Sequence, residues 1–228
     1  MSAKRPRYKS CIPANARERI VKRCPRGAKK KSEYRIGRAL VGVRCFFETG
    51  EPELEYALKG GKKHGIEYWW HDPGLLLSAE PFVNGLPHGT ARQWDRQGRL
   101  IGTYRMDRGT GLDIWRQQRK DGTVHLAEVL YCKSGQHHGF EWWIEEDQKG
   151  VFIERHWRDG QLHGMEREWN NGGRLARGFP KYHVGGKTVT KRQYLKASAA
   201  DPTLPPFRSQ DNKPARTFPP GIARHLAS

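Results

Sequence analysis

The chain has 228 residues, 36% of them hydrophobic, and a formal net charge of +18. That leaves room for one large domain or two small ones, but it is lean material for a thick core. Charges interrupt residues 1–35 too often for a secretory apolar segment, and no apolar run approaches the ~18–20 residues of a spanning helix, so the composition points to a soluble, cytoplasmic protein without a transmembrane segment.

The charge is unevenly placed. Residues 1–40 carry 14 Lys/Arg against two acids, Glu18 and Glu33, whereas residues 41–194 carry 23 against 20. The basicity therefore belongs mainly to an N-terminal arm, residues 1–33. Its candidate polyanion-binding residues are Lys4, Arg5, Arg7, Arg17, Arg19, Lys22, Arg23, Lys29, Lys30 and Lys31. Such segments attract phosphate-rich partners without reading sequence. Within the arm, NARERIVKR reads as a short helix capped by Asn15. The four cysteines (Cys11, Cys24, Cys45, Cys132) form no C-x-x-C pair and read as free thiols of a reducing compartment, with a Cys11–Cys24 bridge or a weak metal site as the rival.

From residue 34 to 189 the chain repeats itself. Units open at Gly37, Gly61, Gly85, Gly109, Gly135, Gly160 and Gly185, a period of 24–26 residues. Each unit holds two short runs separated by glycine turns, which is one β-hairpin. Glycine recurs about every dozen residues, too often for helices. Alternation assigns Ile66, Tyr68 and Trp70 to one face, together with Thr90, Arg92 and Trp94, then Phe140, Trp142 and Ile144, then Met165, Arg167 and Trp169. The opposite face is mixed and carries Glu67, Trp69, Ala91, Gln93, Glu141, Trp143, Glu166 and Glu168. The fold class that follows is mainly β: an elongated, twisted antiparallel meander of about seven hairpin repeats and about 14 strands.

Four units share a Gly-x-x-His-Gly signature: Gly61, His64 and Gly65; Gly85, His88 and Gly89; Gly135, His138 and Gly139; Gly160, His163 and Gly164. Equivalent positions in adjacent hairpins lie two strands apart, about 9–10 Å. Ligands of one metal ion must converge within a few ångströms, so the spacing implies no metal and no cofactor. The histidines read as braces that hydrogen-bond the backbone of their turns. The segment from Gly109 breaks the pattern. It lacks the histidine, and Gly111, Asp113 and Trp115 mark a place for a special contact, with Gly109–Gly111 as a tight turn and Asp113 bonding its amides. Glu145, Glu146 and Asp147 read as a solvated acidic hairpin tip.

LKGGKKHG (Leu58–Gly65), FVNGLPHG (Phe82–Gly89) and WRDGQLHG (Trp157–Gly164) resemble the W-x-x-G-x-x-H-G heart of MORN repeats, most closely the variant repeats of bacterial proteins, many of them named as YwqK-type antitoxins. The resemblance covers about 150 residues. It departs from the pattern where Glu67, Ala91, Glu141 and Glu166 replace the usual second glycine. It implies a repeat scaffold that binds another protein, a toxin where the antitoxin name is functional.

Residues 190–228 close the chain. Thr190 is a plausible N-cap for a helix over about 191–199, and the proline-rich DPTLPPF and FPPGIARHL that follow either pack along the sheet or stay loose. The sequence thus supports a non-enzymatic protein-binding scaffold first, with Trp69 and Trp143 as exposed anchors. Nucleic-acid or anionic-lipid binding through the arm stands second, and an enzyme of unknown type third.

Overall fold

The computed structural model describes residues 8–226, so Lys4, Arg5 and Arg7 lie outside the described residues. The chain is mainly β, and its strands form antiparallel hairpins in two meandering sheets. Two compact units divide at Gly109 and Thr110. The pattern-breaking segment of the sequence therefore coincides with the end of one sheet and the start of the next.

Unit 1 holds β1 (Arg17–Arg23), β2 (Lys29–Ile36), β3 (Ala39–Phe46), β4 (Pro52–Lys59), β5 (Lys62–Lys63), β6 (Gly65–Asp72), β7 (Leu75–Val83), β8 (Leu86–Pro87), β9 (Gly89–Trp94) and β10 (Leu100–Met106). Their order in the sheet is the order of the chain, with β5 and β8 as short side pairings on β4 and β7. The helix expected at Asn15 is instead strand β1, which pairs with β2 from Arg17 opposite Arg35. Pairing with a neighbour overrides local helix preference here. β1 is an edge strand exposed on nearly every residue, and a charged edge strand needs no apolar face. A boundary between residues 33 and 34 accordingly falls inside β2.

Unit 2 holds β11 (Gly111–Gln118), β12 (Val124–Lys133), β13 (Gln136–Ile144), β14 (Val151–Arg158), β15 (Gln161–Leu162), β16 (Gly164–Glu168), β17 (Lys181–Val184) and β18 (Lys187–Val189). Helix α1 (Lys191–Ala200) follows, then a single 3-10 turn (Ser209–Asn212) and α2 (Pro220–Leu226). Thr190 caps α1 as its sequence suggests: its side chain accepts from the Gln193 N–H, and the Gln193 side chain reaches back to the Thr190 N–H. No helix among the described residues is long and apolar enough to cross a membrane.

The repeat glycines sit in two-residue turns. At Asn84–Gly85 both residues have positive φ, +52° and +88°, and Arg108–Gly109, Ser134–Gly135 and Asp159–Gly160 repeat this. Such turns twist with the strands they join. The break at the fourth unit follows the same rule: its turn is Arg108–Gly109, and Gly111 already begins β11. Asp113 lies within β11, opposite Leu130, rather than in the turn.

Each sheet has one face sealed by a terminal segment of its own unit. In unit 1, Tyr68, Trp70, Leu76 and Ala79 form the core cluster of that face, backed by Phe47, Ile66 and Trp94. Residues 8–12 cross it. Tyr8 meets Tyr68 and Trp70 edge-on at 5.0 and 5.2 Å, and the Tyr68 hydroxyl donates to the Lys9 carbonyl. In unit 2 the corresponding face carries Ile114, Val129, Trp142 and Met165, all buried. The proline-rich tail lies along it: Phe218 packs on Trp142 at 5.5 Å, and the Trp169 indole donates to the Asn212 carbonyl at 2.8 Å. Tyr194 of α1 is fully buried with Met165, Tyr182 and Leu204. Of the two possibilities for the tail, packing along the sheet is the one realised. In β9 the register keeps the expected faces, with Arg92 in line with Ala79 and Tyr68 and Gln93 in line with Ser78 and Trp69, but Arg92 is exposed while Ala91 and Gln93 on the mixed face are buried.

Candidate functional site

The repeated histidines reach forward by one repeat. His88 Nδ1 accepts the Arg108 N–H at 3.2 Å, and His163 Nδ1 accepts the Gly185 N–H at 3.1 Å. His138 Nδ1 lies 3.5 Å from the Asp159 N–H and 3.2 Å from its carboxylate. Each therefore holds the turn of the next hairpin, not its own turn as the sequence suggested. In all four units a backbone bond also joins the two hairpins, with the residue before the histidine accepting from the next turn: Lys63 from Gly85, Pro87 from Gly109, His137 from Gly160 and Leu162 from Gly186. Where the fourth unit lacks a histidine, Thr110 takes the role, and its hydroxyl accepts the Ser134 N–H at 3.0 Å. The buried His64 Nδ1 has no partner.

The braces are not equal. His163 is only 6% exposed, and its Nε2 also reaches Thr203 Oγ1 at 3.1 Å. Burial pushes its pKa down, which keeps Nδ1 free to accept. The His88 side chain is 39% exposed. A buried unmade hydrogen bond costs about 1–3 kcal/mol, whereas an exposed one is replaced by water. Chemical denaturation should therefore find His163→Ala destabilised by about 1–3 kcal/mol and His88→Ala by less than about 1 kcal/mol. Equal losses at the two sites would refute the forward-brace account.

Among the described residues, no group of three or more His, Cys, Asp or Glu side chains comes together in a way that could hold a metal ion, and the four cysteines are free. His137 lies against Trp157 at 5.0 Å. In the acidic hairpin tip, Asp147 accepts the Lys149 N–H and Glu146 lies 3.7 Å from Arg119.

The open face of each sheet, opposite the terminal segment, repeats a small device. Two residues past the His-Gly pair stands a buried glutamate, and two residues further a tryptophan whose indole donates to it. Trp69 donates to Glu67 at 3.3 Å and Trp143 to Glu141 at 2.9 Å. Glu141 also accepts from Trp157 at 2.7 Å and Arg155 at 3.0 Å. Arg155 continues to Glu166 at 3.3 Å, which meets His183 at 3.3 Å. These glutamates replace the second glycine of the resembled repeats, and the tryptophan clasp gives their substitution a physical use. Trp69 is 39% exposed, as an anchor should be, but Trp143 is half-buried against Phe152.

The open face of unit 2 draws the sequence-derived candidates together. Trp115, Glu128 and Trp143 stand in register on three adjacent strands, and Asp113, Leu130 and Glu141 form the next rung. Burial, then the charges of Glu141 and Asp113, pushes the Glu128 carboxyl up to about 7, against the pull of Arg155. Glu128 had no signal in the sequence, because its parity is that of Leu126 and Leu130 and only the bulge between Trp115 and Arg116 sets it opposite Trp115. Gly111 only opens β11 and is not part of this rung. Trp69 lies in the other unit.

The sealed face of unit 2 holds a second polar network that sequence reasoning missed. Glu154, 3% exposed, accepts from Arg167 at one oxygen, and from Trp142 and Arg216 at the other, each at 2.9 Å. Burial alone would raise its pKa. The Arg216 hydrogen bond and the charges of His156, Arg216 and Arg167 outweigh it and hold the carboxyl at about 2. A charged Arg167 between Met165 and Trp169 on the apolar parity was the available clue.

Comparison of the chain with protein-family models and with curated proteins gives no match.

Proposed function

We propose that the chain is a non-catalytic repeat scaffold of the MORN-variant kind, and that it binds a protein with a cationic surface on the open face of unit 2. The observation that carries this is the asymmetry of the sheet. The tail seals one face with Phe218, Leu204 and α1, while the opposite face keeps Trp115, Trp143 and Trp157 among Asp113, Glu128, Glu141 and Glu166. Partly buried aromatics set in charge are the composition of binding hot spots, and the excess of carboxylates selects a basic partner. The resemblance to antitoxin-named repeats supports a toxin as that partner, and free thiols support a reducing, cytoplasmic setting.

The test is retention of a partner protein from native extract under nuclease, comparing the wild type with Glu128→Lys. A stoichiometric protein held by the first and lost by the second, with unchanged circular dichroism, is expected. Equal retention by both, or retention that nuclease abolishes, counts against the reading. A second reading, polyanion binding, is favoured by the cations of the β1–β2 hairpin that lack acidic partners.

A further inference from the structure

We infer that the open face of unit 1 binds a single-stranded nucleic acid, with Arg17, Arg19, Lys22 and Lys31 on its phosphates and Trp69 and Tyr56 under its bases. This rests on the polyanion reading, is independent of the protein-binding one, and adds to it a site, a ligand class and a stacking platform.

The cations come from the register of the edge hairpin. Arg17 pairs opposite Arg35 and Arg19 opposite Glu33. Alternation would then turn Lys22 to the other face. A bulge between Ile20 and Lys22 restores it, setting Lys22 opposite Lys31, on the side of Arg17 and Arg19. The few acids nearby are taken elsewhere: Glu18 holds Lys29 at 2.6 Å, Glu53 holds Lys30 at 3.1 Å and Glu33 holds Arg35 at 2.8 Å. Among the described residues, Arg17, Arg19, Lys22 and Lys31 have no carboxylate partner, and the three on β1 are exposed. Cations so placed are free to neutralise phosphates.

The aromatic half lies on the same face. Lys22, Lys31, Cys45, Leu54 and Trp69 form one continuous rung across five strands. From Lys31 to Trp69 is three strand spacings, about 14 Å, a gap that a short stretch of single strand spans. Glu67 fixes the indole through its N–H and leaves the ring 39% exposed. Tyr56 follows on the adjoining rung, opposite Val43 and beyond it Glu33 and Arg19, with Lys63 Nζ 5.1 Å from its ring. A positive strip beside aromatic faces on a sheet is the chemistry that recognises unpaired bases, because every base has a face to stack. A duplex hides those faces and would gain nothing from Trp69. An anionic membrane would favour aromatics at a protruding rim, not on a sheet face.

The experiment uses the full purified chain with labelled ~12-nucleotide single strands of RNA and DNA, the matching duplex, and phosphatidylserine vesicles. Expected are single-strand binding with quenching of tryptophan fluorescence, and a log–log salt slope near −3 for four neutralised phosphates at about −0.7 each. Arg19→Glu with Lys22→Glu, both exposed residues, should lose at least tenfold in affinity and flatten that slope. Trp69→Ala should lose roughly fivefold or more, and Trp69→Phe should recover most of it. Tighter binding to duplex or vesicles, or affinity indifferent to either Trp69→Ala or the double charge reversal in folded protein, would overturn the inference. None of these readings depends on Glu128, so the two proposals fail separately.

Discussion

Gly164→Ala is expected to cost about 3–5 kcal/mol, whereas Gly139→Ala should cost only about 1 kcal/mol, although both glycines hold the same place in their repeats. Gly164 has φ of +143°, and a Cβ there would lie 2.4 Å from His156 Cβ and 3.2 Å from Pro205 Cδ. His156 cannot retreat. It is buried, its ring packs on Phe140 at 4.5 Å, and its Nδ1 bonds the Met165 carbonyl at 2.8 Å. The alanine would meet backbone strain of about 1–3 kcal/mol and overpacking of similar size. At Gly139 φ is +72°, and the nearest atom to a new Cβ is Tyr131 Cδ1 at 3.8 Å, ordinary contact, so only the left-handed backbone is charged against it. Denaturant titration of the two variants decides this. Equal losses would mean that the turn geometry, and not His156, demands the glycine.

That pair also marks how far the sequence could be read. Period and alternation made the hairpins legible, because a two-residue turn needs positive φ and a strand needs period two, and both constraints are local. Asn84–Gly85 and Asp159–Gly160 announce their turns in two letters each. The direction of the histidine brace was not legible, since it depends on which turn lies beside His88 or His163 once the strands pair. Thr110 could stand in for a histidine unnoticed because a brace requires only an acceptor near the Ser134 N–H, which many residues supply. β1 was misread for the opposite reason. Its charges satisfy helix propensity, and what makes it a strand is an unpaired edge of β2 that no local rule contains. The candidate binding residues divide in the same way. Trp69 and Trp143 were visible as tryptophans on the mixed parity, but Glu67 and Glu141, which fix their indoles, read only as departures from a repeat.

Arg167→Met should destabilise unit 2 by about 3–5 kcal/mol, the usual consequence of removing one member of a buried charge pair. Arg167 is 1% exposed and stands opposite Glu154 across β14 and β16. Without it, Glu154 keeps Trp142 and Arg216 but loses its most deeply buried cation. Arg216 ties the same carboxylate to the tail, and its guanidinium lies 5.1 Å from the Trp169 ring, so the network also fastens residues 211–218 to the sheet. The pH dependence follows from the sign of the shift. The Glu154 carboxyl is held at about 2, below its ordinary 4.5. Its contribution is therefore fully present above pH ~4.5 and fades as the pH falls toward 2. Arg216→Ala removes the leading hydrogen bond that lowers this pKa, so the contribution should be smaller and its fade, from the same onset, should be complete at a higher pH than in the wild type. Urea titrations at about pH 7, 4 and 3, followed by the fluorescence of Trp142 and Trp169, measure both effects. A loss below about 1 kcal/mol for Arg167→Met at pH 7 would show that Arg216 and Trp142 satisfy the buried Glu154 without Arg167. A loss for Arg167→Met that shrinks in step with Glu154 protonation would assign it to the ion pair.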